Sequence, residues 1–278
     1  MSFLLPKSEN RPAQMRGRRV EPATIIAVAS GKGGVGKTFM SITLASAFAQ
    51  AGRRTLLVDG DLGLANIDVQ LGIEPETDLA AVVSGWVELE DAVTPVDGGP
   101  SRGGFDVLPG RSGSGALAEL SSEEVARLAA GLSALALQYD QVIVDLGAGI
   151  EANCMRLARA ADRVVMVITD EPTSMTDAYA FIKVLKGYAP SVQQVVAINQ
   201  AMSRAAGQQT YEAISQACET FLGFKPHLAG TVLHDDSVRE AIRSQCTLVS
   251  SDPSSQPIMD IIGIAQSLLT PRGQELRR

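Results

Sequence analysis

Short apolar runs alternate along the chain with longer segments whose apolar residues recur at helical spacing. Thr24 to Ala29 reads as a buried strand, and Phe39 to Gln50 as a helix. Arg54 to Asp59 is a second strand, followed over Gly60 to Gly72 by a loop with a short helix. Residues 97–115 are rich in glycine and serine around one short strand, Phe105 to Pro109. Ser121-Ser122-Glu123-Glu124 opens a helix that runs to about Gln138, with acidic residues in its first turn. Further strands follow at Gln141–Asp145, Arg163–Thr169, Gln194–Asn199 and Leu228–Leu233. Helices at about Ser174–Tyr188, Tyr211–Leu222 and Pro257–Leu269 complete the series. Apolar strands alternating with helices predict an α/β fold, with a mostly parallel sheet and helices on both faces.

Size and composition agree with one large domain. The chain has 278 residues, 45 % of them hydrophobic, enough for an ample core. Residues 23–270 form the expected domain. A basic arm over 1–22, holding Lys7, Arg11, Arg16, Arg18 and Arg19, is expected to be disordered, and 271–278 is a short tail. The net charge of −7 argues against strong nonspecific DNA binding. Cys154, Cys218 and Cys246 form no Cys-x-x-Cys pair, which points to a reducing cytoplasm without a disulfide framework. No signal peptide or membrane span is visible, and His227 and His234 belong to no cluster with metal-ligand spacing.

The chemistry collects at the carboxyl ends of the strands, where parallel sheets bind ligands. Gly31-Lys32-Gly33-Gly34-Val35-Gly36-Lys37-Thr38 fits the phosphate-binding P-loop pattern between a strand and a helix. Its glycines let the backbone wrap a phosphate and aim N–H groups at it from the helix start. Gly33 to Thr38 are the expected phosphate ligands: Lys37 reaches the β- and γ-phosphates, and the Thr38 hydroxyl ligates Mg²⁺. The chain is therefore expected to be a single P-loop NTPase domain. Asp145 ends an apolar strand, as does the aspartate that holds Mg²⁺ through water (the Walker B residue). Gly147-Ala148-Gly149 after it is a flexible segment suited to sensing a γ-phosphate. Asp59 and Asp61 put two carboxylates at another strand end. One suits the water shell of the metal and the other suits the attacking water. Asn199-Gln200-Ala201-Met202 lacks the Lys and Asp of a guanine-reading Asn-Lys-x-Asp. Its Asn199 amide can pair with an adenine edge, so the expected cofactors are ATP and Mg²⁺.

Lys37 satisfies the P-loop's lysine role, which leaves Lys32 over. With both lysines the chain resembles the deviant Walker A ATPases, which include MinD, ParA and the nitrogenase iron protein. The resemblance implies a homodimer formed face to face on ATP, with Lys32 reaching the partner's nucleotide. It also implies Asp61 as the water-positioning residue, with Asp59 on the metal side. Within that family, Asp59 to Gly72, Glu171 to Tyr179, Asn199-Gln200-Ala201, Phe221-Leu222-Gly223 and Ser237 to Ala241 resemble the flagellar branch called FlhG or FleN. That branch implies control of flagellar number and placement. Its partners are an FlhF-type GTPase, a C-ring component or a flagellar transcription activator.

Some positions depart from the family pattern. Leu146-Gly147 stands where a Ser/Thr and a Pro or Ala are usual, and Gly230 to Asp235 lacks a proline. The branch's N-terminal activating motif is not cleanly present in Arg11 to Arg16. The last helix has an apolar face of Ile258, Ile261, Ile262, Ala265, Leu268 and Leu269, expected to pack on the domain. Membrane binding is then weak or absent, and the protein is cytoplasmic, with any polar or membrane recruitment made through a partner. Competing readings are a ParA-like DNA partitioner, which predicts salt-sensitive duplex binding, and a scaffold that binds a transcription activator with ATP as a mere ligand. An iron–sulfur carrier would need a second cysteine near Cys154.

Overall fold

The computed structural model describes residues 23–110 and 120–269. The calls on the arm 1–22 and the tail 271–278 lie outside the described residues. Eight strands are present among those described: β1 (Thr24–Ser30), β2 (Thr55–Gly60), β3 (Thr94–Val96), β4 (Phe105–Leu108), β5 (Gln141–Ala148), β6 (Arg163–Ile168), β7 (Gln193–Ala201) and β8 (His227–Leu233). They form one sheet in the order β3-β4-β2-β5-β1-β6-β7-β8, parallel except for the edge strand β3. The helices are α1 (Lys37–Gln50), α2 (Ile67–Leu71), α3 (Leu79–Val83), α4 (Ser122–Leu135) and α5 (Ala152–Arg159), then α6 (Pro172–Tyr188), α7 (Arg204–Leu222), α8 (Asp236–Arg243), α9 (Leu248–Ser251) and α10 (Gln256–Leu269).

The expected α/β architecture is present, and its logic is the two-residue period of a strand. Along β1, Ile26 and Val28 face one core, with α1 and α10. Ala27 and Ala29 face the other, with α4 to α7. Helix α1 is buried along its whole length from Phe39 to Ala49, between the sheet and α10. An all-round apolar helix belongs in such a place. Helix α10 seals it with Ile258, Ile261, Ala265 and Leu268, as expected, and with Ile264; Ile262 and Leu269 are half-buried against the same core. No helix among the described residues is long and apolar enough to cross a membrane.

Five elements have no counterpart in the sequence reading, among them the very short helices α3 and α9. β3 is three residues long and contains Pro95, which an edge strand tolerates. Helices α5 and α8 have eight residues each, too few for a clear period. Helix α7 also begins at Arg204, well before Tyr211. Gly207 masks its first turns, and tertiary packing explains it: a Cβ there would lie 2.3 Å from Thr231 Cγ2 on β8. The close approach of helix to strand requires glycine.

Phe48 is fully buried near the C-terminal end of α1. Phe48→Ala is expected to cost about 3–5 kcal/mol, measured by urea unfolding followed by circular dichroism. A loss under about 1 kcal/mol would mean that α1 is not clamped between sheet and α10.

Candidate nucleotide site

Strand β1 lies between β5 and β6, and the P-loop leaves its carboxyl end at this branch in the topology. Ser30 Oγ donates to the Lys32 carbonyl at 2.7 Å and starts the turn. Gly34 and Gly36 hold φ of 80° and 90°, a region side chains rarely enter. Gly31 and Gly36 also serve close approach. A Cβ on Gly31 would meet the Asp177 backbone at 2.2 Å, and one on Gly36 would meet Asn199 Nδ2 at 2.4 Å. The loop ends where α1 begins at Lys37, so the first N–H groups of the helix face an open cavity of about 590 Å³. Gly33, Gly34, Gly36, Lys37 and Thr38 line it. Val35 turns its side chain into the core instead.

Beneath the loop lie two buried carboxylates. Asp145 accepts the Ser41 hydroxyl at 2.8 Å, with the Thr38 side chain close by. Burial raises its pKa to about 6, against the pull of Thr38, Lys37 and Ser41. Asp59 stands beside it in register across β2 and β5. Its pKa is pushed up to about 7 by burial and by the Asp145 charge. The Asp59 carboxylate accepts from the backbone N–H groups of Asp61, Asn66 and Ile67, at 3.2, 3.0 and 3.1 Å. It therefore folds the segment that carries Asp61. The oxygen donors Thr38, Asp145 and Asp59 suit a hard divalent cation such as Mg²⁺, and two raised carboxylate pKa values side by side are what a nearby positive charge relieves.

Asp61 lines the cavity opposite the loop. Its Oδ1 accepts from the N–H groups of Gly63 and Leu64 at 3.3 and 3.0 Å, which fixes its rotamer. It lies against Gly147, where an added Cβ would stand 3.2 Å from Asp61 Oδ1. The same segment is tied to the P-loop, because Gly149 N donates to the Ser30 carbonyl at 3.0 Å. Cys154, also at the cavity, donates weakly to the Gly147 carbonyl at 3.5 Å. Burial pushes its thiol up to about 12, which makes it inert rather than a cluster ligand.

Lys32 turns away from the cavity of its own chain. Its ammonium pairs with the Glu171 carboxylate and donates to Thr173 Oγ1 at 3.2 Å, at the start of α6. Asn199 is brought to the loop but does not line the cavity. Its amide, only 4 % exposed, donates to the Val35 carbonyl at 2.8 Å. An amide has two N–H donors and one acceptor, so one N–H and the Oδ1 remain outside this bond. The next residue, Gln200, takes a left-handed φ of 58° and reaches the Gly34 carbonyl at 3.5 Å.

A family profile described as the CobQ/CobB/MinD/ParA nucleotide binding domain matches residues 26–248. The chain belongs to this family. It is an ATPase of the MinD/ParA kind. It is 38 % identical over 249 residues to the antiactivator FleN of Pseudomonas aeruginosa, covering 90 % of this chain and 87 % of that one. It is 30 % identical over 259 residues to the flagellum site-determining protein YlxH of Helicobacter pylori, covering 90 % and 84 %. Among solved structures, the septum site-determining protein MinD complexed with Mg-ADP from Pyrococcus horikoshii superposes with a TM-score of 0.75. The identity is 24 %, and the match covers 89 % of this chain and 96 % of that one, a likeness of fold.

Two features of the MinD/ParA site escape the sequence reading. Ser41 looks like an ordinary small residue in an apolar helix; only its place one turn after Thr38 hints at a role. Glu171 and Thr173 belong to the segment Glu171 to Tyr179, but their contact with Lys32 spans 139 and 141 positions.

The pKa values set a pH dependence. Asp59 and Asp145 hold protons in the folded chain up to about pH 7 and 6. Unfolded, they release them near 3.8. The stability from this proton uptake is complete below about pH 4 and is lost as pH rises through 6 to 7. The nucleotide-free protein in EDTA should therefore lose thermal stability between about pH 4.5 and 7, and Mg²⁺–ADP should flatten the slope. Differential scanning fluorimetry checks both; a Tm that rises with pH in EDTA contradicts the assignment.

Proposed function

We propose that the chain is an ATP-gated dimeric switch that sets flagellar number or placement, reset to monomers by hydrolysis. The observation that carries this reading is the position of Lys32, at the rim, outside its own cavity and held only by the exposed Glu171 and Thr173. An exposed ion pair is worth about 0–1 kcal/mol, so a phosphate presented by a second subunit can take the lysine. Lys37 and the loop amides bind the phosphates. Thr38 and Asp145 hold Mg²⁺, with Asp59 close behind. The metal offsets phosphate charge and orients the phosphates. Asp61, with one carboxylate oxygen held by Gly63 and Leu64, keeps the other for the attacking water. Asn199 braces the loop through Val35 and keeps an N–H and Oδ1 for the adenine edge.

The flagellar assignment is supported by FleN and YlxH, two relatives that match over most of their length under flagellar or antiactivator names. The partner is then a flagellar transcription activator, an FlhF-type GTPase or a C-ring component. It meets a cytoplasmic dimer and recruits it to a pole or the membrane.

The decisive experiment is the solution mass of Asp61→Ala with Mg²⁺–ATP and with Mg²⁺–ADP. A dimer in ATP and a monomer in ADP is the expected result. Adding Lys32→Ala should return the ATP sample to monomer, and Lys32→Ala alone should lower turnover by about tenfold or more, as removal of a charge acting in trans does. One mass for Asp61→Ala in both nucleotides would sink the gated switch and favour the scaffold reading.

A further inference from the structure

We propose that Ser41 is a positioning residue for the Mg²⁺ site, the anchor that keeps Asp145 aimed when Thr38 turns to the metal. The inference rests on the assignment of Asp145 to the metal side. Ser41 sits on α1 one turn after Thr38, fully buried between helix and sheet. Its hydroxyl has one proton and two acceptors in reach, Asp145 Oδ1 at 2.8 Å and the Lys37 carbonyl at 3.0 Å. The carboxylate is the stronger acceptor, since a charged partner roughly doubles such a bond. The Lys37 carbonyl also serves the backbone of its own helix, so the hydroxyl is not needed there.

Asp145 thus faces two hydroxyls of one helix face, Thr38 and Ser41, and Ser41 is the one that donates to it, at 2.8 Å. The two are not equivalent. Thr38 lines the cavity, whereas Ser41 does not. A hydroxyl whose oxygen ligates a cation is drawn toward it, which leaves Ser41 as the side chain that fixes the carboxylate. Asp145 is itself only 2 % exposed, so bulk water is poorly placed to replace the lost donor. Outer partners of this kind set how a ligand group is presented, and their loss typically costs 10–100-fold in metal affinity.

The alternative role is purely local. A serine within a helix often bonds the carbonyl one turn back and does nothing more. The two roles differ in one observable, the extent to which Mg²⁺ tightens nucleotide binding. Calorimetric titration of ADP into the full chain, in EDTA and in Mg²⁺, measures that ratio for the parent, Ser41→Ala and Ser41→Cys. Ser41→Ala removes one oxygen, and its fold is checked by circular dichroism and Tm. Positioning predicts unchanged ADP affinity in EDTA and a Mg²⁺ effect reduced about tenfold or more. Cysteine keeps the shape with a weaker donor, so Ser41→Cys should fall between. A Mg²⁺ effect in Ser41→Ala equal to that of the parent overturns the proposal. So does equal weakening with and without the metal, which marks the local role. A parent with no Mg²⁺ effect would instead remove the metal-side assignment of Asp145 and the proposal with it.

Discussion

Asp59 and Asp145 stand side by side on β2 and β5, both almost wholly buried. Two carboxylates in such a place oppose each other and lose hydration, and both pKa values rise. A fold keeps this arrangement only if its surroundings answer the charge. Here the answer is the site itself: three backbone N–H groups on Asp59, the Ser41 hydroxyl on Asp145, and Thr38 and Lys37 nearby. The folded chain has assembled donors around a deficit of positive charge, which a divalent cation completes. The parallel sheet makes this possible, because it holds adjacent strands in register and hides their sides under helices.

The rim of the site follows a different rule. The Lys32 contacts with Glu171 and Thr173 are solvent-exposed, so they hold the side chain in place without storing much energy. A buried lysine would be fixed for good, and one without partners would be loose in solvent. The difference between buried carboxylates and an exposed lysine therefore separates the firmly fixed part of the site from a side chain that is held only weakly. The segment bearing Asp61 lies between these extremes. It is anchored from below by Asp59, yet it presents its own carboxylate to the cavity.

Much of this was legible in the sequence because the signals are local. Strands β1, β2, β5, β6 and β7 are near-continuous apolar runs, as double-sided burial demands. The P-loop is contiguous, and Asp59 stands next to the last residue of β2, whereas β5 runs on past Asp145 to Ala148. Short elements were not legible, since eight residues of α5 or α8 carry too few apolar positions to set a period. Nor were contacts made across the sheet. Asn199 reads as a free amide at a strand end until the fold brings Val35 against it, 164 positions away. Ser41 reads as filler until Asp145 arrives from 104 positions on. Both are tertiary facts that no local spacing encodes.

The departure at Leu146-Gly147 has a physical reading in the same terms. Leu146 is fully buried, so the place of the family's usual hydroxyl is given over to the core. Gly147, where the family usually carries Pro or Ala, leaves open the space that a Cβ would occupy 3.2 Å from Asp61 Oδ1. That is tighter than ordinary van der Waals contact, so a side chain there would press the carboxylate outward unless its loop moved with it. Glycine thus lets Asp61 settle against the segment that follows Asp145. The segments that carry Asp61 and Gly147 are packed on each other, and the Ser30–Gly149 hydrogen bond joins that pair to the P-loop. Movement of Asp61 toward or away from the cavity must then be felt at Gly147, and through Gly149 at the loop that holds the phosphates.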